Sequence, residues 1–289
     1  MNKISYSEAV KNAGKLIRAA DKILLGMGSG LSAAGGLNYG DPALAQKWYP
    51  EYYGIGFHSI AQIQQLYWFY PQCDPAKYWG FWARHIYHIR YQTEASKPYR
   101  DLKALLEGKD YFIITTNVDS QAEKAGFSPD KIFATQGNYC YFQCSKPCRD
   151  EIYENKAMVQ TMVEHMPTPF TVREEDIPKC PHCGGPLVPN LRCDHTFVET
   201  PHMENLPSYM QFLEECEMEN VVLIELGVGF NTPVIIRYPF EEITGSYPNA
   251  RLIRINDAYA GVPESIAGKS LSIQADLGKA ISDILAEYS

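Results

Sequence analysis

Apolar and polar positions along this chain switch between two periods. From Ser5 to Ala20 the apolar residues Ala9, Ala13, Leu16, Ile17 and Ala20 recur every three or four positions, the stripe of an amphipathic helix, and Ser5 followed by Glu8 predicts a capping box at its start. The short apolar run Lys22 to Leu25 predicts a buried strand, followed by the alternating glycines Gly26, Gly28 and Gly30 and a small-residue helix start at Ser32-Ala33-Ala34. Strand, glycine turn and helix in that order open a dinucleotide-binding unit. The same alternation returns with a helix over Tyr99 to Glu107, a strand at Tyr111 to Ile114, a polar loop with a short helix over Asp119 to Gly126, and a strand at Lys131 to Ala134. It returns again with strands at Val221 to Leu226 and Arg251 to Ile255 and a closing helix over Asp276 to Tyr288. These elements predict an α/β fold, a Rossmann-like doubly wound parallel sheet.

Two stretches break the pattern. Tyr39 to Tyr91 is crowded with aromatic residues on short helical periods, among them Trp48, Tyr49, Tyr52, Tyr53, Phe57, Tyr67, Trp68, Phe69, Tyr70, Trp79, Phe81 and Trp82. Residues 140 to 195 are rich in cysteine, proline and charge. The expected organisation is therefore a sheet domain from residues 1–39, 96–139 and 196–289, a helical insertion over 40–95 and a second, small insertion over 140–195. The cleft between sheet and insertions is the expected ligand site.

Composition narrows the function. With 289 residues, 45% of them apolar, the chain can build a large core. A formal net charge of -8 supplies no positive field for nucleic acid or anionic lipid. The amino-terminal stretch lacks a signal peptide's apolar core, and no apolar run approaches the roughly 18 residues of a membrane span, so neither nucleic acid nor membrane is expected as a partner and a cytoplasmic location is. In a reducing compartment, five of the eight cysteines falling between Cys140 and Cys183 point to a metal. The pairs Cys144-x-x-x-Cys148 and Cys180-Pro-His-Cys183-Gly-Gly read as a zinc ribbon with four thiolate ligands, with Cys140 as an alternative to Cys144 or Cys148. Four protein ligands leave no open coordination position, so the zinc would be structural.

The glycine turn alone is weak, since any tight strand-to-helix turn favours glycine. No second strand ending in an acidic residue follows it at the interval a hydride-transferring dehydrogenase would need. The segment Ile114-Thr115-Thr116-Asn117-Val118-Asp119 delivers polar residues at the carboxyl end of a buried strand, where open α/β sheets bind ligands, and Gln136-Gly137 falls at an equivalent edge.

In order and spacing these segments resemble the sirtuin family, over nearly the whole chain. Sirtuins carry GAGIS-A-x-S-G-I, TQNID, HG, two cysteine pairs, a GTS-type loop and an IN dipeptide. Here Gly28-Ser29-Gly30-Leu31-Ser32-Ala33-Ala34-Gly35-Gly36-Leu37, Thr115-Thr116-Asn117-Val118-Asp119, Gln136-Gly137, Cys180 to Gly185, Gly227-Val228-Gly229 and Ile255-Asn256 stand in those places. Gln136 departs from the histidine that serves deacylating members as general base, and an amide cannot take a proton near neutral pH. The P-D-F-R run is replaced by Asn38-Tyr39-Gly40-Asp41, with Tyr39 expected to stack over the nicotinamide ribose. The V-V-x-F-G-E segment is replaced by the more charged Leu191 to Glu199. Gln136 together with Gly-Val-Gly-Phe-Asn-Thr-Pro from Gly227 to Pro233 and the following Arg237-Tyr238-Pro239-Phe240 is similar to the macrodomain-linked, or class M, sirtuins.

That resemblance implies an NAD-dependent protein ADP-ribosyltransferase that acts on a lipoylated carrier similar to the glycine-cleavage H protein. It also implies a partner macrodomain hydrolase that reverses the modification and an oxidative-stress setting. Under it, Gly28, Ser29, Gly30, Leu31 and Ser32 hold the pyrophosphate, Asn117 and Asp119 fix the nicotinamide and its ribose, and Gln136 orients the ribose or acceptor. Gly227, Gly229, Asn231, Asn256 and Asp276 serve the adenosine half. The alternatives are a deacylase or NAD glycohydrolase in which water or His195 replaces the missing base, and a non-catalytic NAD-sensing scaffold.

Overall fold

A computed structural model describes residues 4–68 and 74–288, so Phe69 and Tyr70 of the aromatic stretch lie outside the described residues. The six-stranded sheet comprises β1 (Lys22–Met27), β2 (Asp110–Thr115), β3 (Ile132–Ala134), β7 (Val221–Leu226), β8 (Arg251–Asn256) and β9 (Ser270–Gln274), all parallel, in the order β3-β2-β1-β7-β8-β9. A smaller antiparallel sheet holds β4 (Gly137–Cys144), β5 (Ile152–Glu154) and β6 (Leu187–Leu191), in the order β5-β4-β6.

Each central strand feeds two helix layers because successive side chains point to opposite faces. Ile23, Leu25 and Met27 of β1 and Tyr111 and Ile113 of β2 join one core with the helices Tyr6–Ala19, Lys97–Leu105 and Leu277–Tyr288. Leu24, Phe112 and Ile114 join the other, against the helices Leu206–Cys216 and Arg237–Ser246. The chain order reverses where β1 meets β2 on one side and β7 on the other, so a crevice opens at the carboxyl ends of β1, β2 and β7.

Most predicted elements are present within a few residues. The helix over Tyr6–Ala19 is capped by Ser5 Oγ, which accepts the Glu8 N–H at 3.2 Å. The helix expected to begin at Ser32 instead spans Ser29–Ala34, so Ser32 lies inside it. The reason is that Gly28, in extended backbone, already acts as the N-cap directly after β1. The edge strand β9 and the helices Leu206–Cys216 and Arg237–Ser246 had no counterpart in the sequence reading.

The two interruptions pack together. The helices Pro42–Trp48, Pro50–Gly54, Ile60–Leu66 and Pro75–Ile86 share one core with β4, β6 and the helix Lys156–Glu164, through Tyr49, Trp79, Trp82, Phe142, Val159 and Leu187. Trp79 meets Phe142 with ring centroids 4.7 Å apart. Gly80 allows the Phe170 carbonyl to pass, since a Cβ there would lie 2.1 Å from that oxygen.

Candidate functional site

At the switch point, the turns after β1 and β7 touch backbone to backbone. A Cβ on Gly30 would lie 2.7 Å from the Gly227 Cα, and Gly227 itself adopts φ +62°, where side chains are strained. The Gly28, Gly30 and Leu31 N–H groups are donated to the Leu226, Gly227 and Gly28 carbonyls at 2.9, 3.0 and 3.0 Å. Three of the N–H groups expected to hold a pyrophosphate thus have backbone partners within these turns, and the Leu31 side chain is buried in the core. Of these glycine-turn residues, Ser29, Gly30 and Ser32 line the adjoining cavity.

That cavity, of about 390 Å³, is lined by Ser29, Gly30, Ser32, Ala33, Leu37, Asn38, Tyr39 and Gly40 from the first crossover, Thr116 to Asp119 beyond β2, and Tyr139 from β4. It thus gathers Ser29, Gly30, Ser32, Tyr39, Asn117 and Asp119, which lie up to ninety residues apart in sequence. A hydrogen-bonded chain runs along its floor. Asn117 Nδ2 donates to Gly28 O and to the Tyr99 hydroxyl, both at 3.0 Å. The Tyr99 hydroxyl lies 3.1 Å from Ser32 Oγ, which donates to Asp119 Oδ2 at 2.5 Å. Asp119 Oδ1 accepts the Gln121 N–H at 3.0 Å. With both amide hydrogens committed, Asn117 offers a ligand its carbonyl oxygen, an acceptor. Burial pushes the Asp119 carboxyl above the usual carboxylate range, against the Ser32 and Gln121 donors that favour the anion. Tyr99, the centre of this chain, was missed because in sequence it reads only as one more apolar position of its helix.

The remaining expected residues sit elsewhere. Gln136 is half-buried outside the cavity lining, its Nε2 donating to Thr135 O and Thr135 Oγ1 at 3.1 and 3.3 Å. It holds its own neighbour rather than facing the cavity. Asn256 is buried, donating to Val228 O at 3.0 Å and accepting the Ala258 and Tyr259 N–H groups. It clamps the turn after β7 to the turn after β8. Arg237, also unforeseen, does the same by donating to Val228 O and Tyr259 O at 3.2 and 2.7 Å while pairing with the buried Glu225. Asp276 is exposed and accepts the Lys279 N–H at 2.7 Å as a cap for the last helix. Asn231 is exposed, Gly229 is half-buried, and neither they nor His195 line the cavity.

The cysteine reading resolves to one set. The Cys144, Cys148, Cys180 and Cys183 sulfurs all lie within 4.8 Å of one another, with Cys144 to Cys183 at 3.7 Å and Cys148 to Cys180 at 3.6 Å. Tetrahedral zinc with Zn–S bonds of about 2.3 Å requires sulfurs about 3.8 Å apart, so the four thiolates fit the ion. Cys140 is outside the group, and burial pushes its thiol up to about 11.

A doubly wound sheet with a ligand crevice at its switch point and a four-cysteine ribbon inserted beside it narrows the class to nucleotide-binding α/β proteins carrying a ribbon. A profile of the Sir2 family matches residues 58–228. A Staphylococcus aureus (strain Mu50) protein named protein ADP-ribosyltransferase is 30% identical over 99% of this chain and 89% of its own length. A Fusarium oxysporum f. sp. cubense protein named probable bifunctional ADP-ribose hydrolase/ADP-ribosyltransferase is 28% identical over 94% of this chain, which spans 47% of that larger protein. Among solved structures, a Sir2 homologue in complex with NAD shares the fold with a TM-score of 0.58 at 18% identity, over 96% of this chain and 92% of that one. The chain belongs to the Sir2 family, the sirtuins, and is an NAD-dependent enzyme with the sirtuin fold. Among the described residues no helix is long and apolar enough to cross a membrane.

Proposed function

We propose that this enzyme is a protein ADP-ribosyltransferase of the macrodomain-linked, class M type. The observation that carries the reading is Gln136 where deacylating sirtuins place their histidine base, joined to a relative bearing the transferase name across 99% of the chain. In the proposed reaction the bond between the ribose C1′ and nicotinamide breaks, and nicotinamide leaves with the bonding electrons. A nucleophile on the acceptor then bonds to C1′ and releases its proton to solvent. Orientation supplies most of the catalysis, as expected of a dissociative centre with no basic side chain at position 136.

Asn117, whose carbonyl oxygen is the part left free, accepts from the nicotinamide carboxamide, and the Ser32–Asp119 pair holds the ribose beside it. Ser29, which lines the cavity beside them, takes the phosphates. The acceptor we propose is a lipoylated carrier similar to the glycine-cleavage H protein, with a macrodomain hydrolase as the reversing partner. The Fusarium relative, whose name joins a hydrolase to a transferase, supports the second half of that proposal.

The test uses labelled NAD, a lipoylated H-like carrier and an acetyl-lysine peptide in one tube, with nicotinamide release followed. Label on the carrier with an intact peptide is expected; deacetylation with an unlabelled carrier would overturn the reading. Asn117→Ala should lower transfer by at least about 100-fold while leaving the melting temperature within a few degrees of wild type.

A further inference from the structure

Behind the cavity wall lies a buried polar chain that the proposed reaction does not use. Tyr139, only 2% exposed, comes from β4 and lines the cavity. The His85 ring, fully buried, spans from its Nε2, 3.2 Å from the Tyr139 hydroxyl, to its Nδ1, 3.2 Å from the Tyr49 hydroxyl. Phe81 stacks on the ring at 5.1 Å between centroids, and Tyr39, itself a cavity residue, meets it edge-on at 5.1 Å. A histidine packed among aromatics is most often only a satisfied core residue. This one has both nitrogens bonded and ends on the hydroxyl of a residue that lines the ligand cavity.

Burial pushes His85 down to about 3, so the ring is neutral at physiological pH, donating through one nitrogen and accepting through the other. It cannot store a proton, and the chain is no substitute for the base that Gln136 lacks. What it fixes is direction. Among the described residues the Tyr49 hydroxyl has His85 as its hydrogen-bond partner, so its hydrogen is satisfied only by donating to Nδ1. The remaining hydrogen then sits on Nε2 and is donated to the Tyr139 oxygen. With His85 donating to its oxygen, Tyr139 has its own O–H left to give.

We propose that Tyr139, oriented by His85 and Tyr49, is a ligand-positioning residue that donates its hydroxyl hydrogen to an oxygen of the sugar bound in the cavity. This rests on the NAD reading of the site. His85 and Tyr49 act through Tyr139 and are positioning residues.

The experiment uses the full chain labelled with 15N at histidine, titrated with ADP-ribose and separately with nicotinamide, with affinities measured by calorimetry. In the wild type the buried histidine should show a neutral ring protonated on Nε2, remain so down to pH 5, and shift on addition of ADP-ribose. Tyr139→Phe should weaken ADP-ribose binding roughly 3- to 10-fold, as loss of one hydrogen bond does. His85→Phe, which keeps the ring stack, should do the same, His85→Gln should recover part of the loss, and the double variant should bind no more weakly than Tyr139→Phe alone. An Nδ1-protonated or ordinarily titrating ring, a response to nicotinamide only, additive losses, or wild-type affinity in Tyr139→Phe would each overturn the proposal. Failure of the wild type to bind ADP-ribose would instead defeat the NAD reading, so the two failures are separable.

Discussion

The parallel sheet and the inserted half hold themselves together in different ways. In β1 and β2 each residue faces one of two helix layers in strict alternation, so Leu24 and Leu25 enter separate cores. In the inserted half, Tyr49, Trp79, Trp82 and Phe142 interlock across helices and ribbon strands with no common period, and a four-thiolate cluster pins the far end. The cavity lies on the seam, with Asn117 and Asp119 delivered by the sheet and Tyr139 by the ribbon. Periodic burial makes a rigid floor; aperiodic aromatic packing makes a wall whose shape depends on each ring and on the metal.

Removing the metal gives the largest expected effect. Cys180→Ser should abolish zinc binding, and protease should then cut first within residues 40–95 and 140–195 while the sheet helices resist, because a structural zinc site contributes folding free energy directly. A single cooperative loss of both halves would show that floor and wall are one folding unit.

A smaller effect is expected from Gly227→Ala, whose new Cβ would lie 2.6 Å from the Gly30 Cα at φ +62°. About 3 kcal/mol of destabilisation should appear in urea unfolding, borne by the sheet half. A loss below about 1 kcal/mol would mean that the two turns yield and the floor is softer than the contact implies.

The smallest effect is one of pH. Because burial raises the Asp119 carboxyl, the folded chain binds a proton more readily than the unfolded chain. This contribution favours the fold at acid pH and is lost as pH rises from the ordinary aspartate range through the raised one. Asp119→Asn should therefore match wild-type stability near pH 4 and exceed it at pH 8, while transfer activity falls. Parallel stability curves for the two proteins would show that Ser32 and the Gln121 N–H already offset the burial cost.

The same division governs what could be read from sequence. β1, β2, β7 and β8 announce themselves because two-sided burial writes mostly apolar runs, broken in β7 and β8 only by Glu225 and Arg254, which pair with each other. β9, Ser-Leu-Ser-Ile-Gln at the sheet edge, buries only one face and leaves a weaker mark. Asn117, Asp119, Tyr39 and the four clustered cysteines were legible because motif and place agreed. Gly28, Gly30 and Asn256 were legible as positions, but their hydrogen bonds to Leu226, Gly227 and Val228 were not, since those partners belong to a turn far away in sequence. Tyr99, Tyr139 and His85 gave no signal, because a buried polar end on an aromatic or heteroaromatic side chain looks like core until its partners are known.

The chain leaves the large sheet at Ala134 and enters the small one at Gly137, so at this crossing only Thr135 and Gln136 lie between them. Thr135 N–H is tied back to Thr115 O of β2, and Gln136 O receives the Arg192 N–H from just beyond β6. Position 136 is therefore an elbow as well as a place in a motif: its backbone carbonyl ties it to the small sheet's side while its side chain braces Thr135, which is tied to the large sheet. A replacement there changes the brace on Thr135 along with the chemistry available at the position.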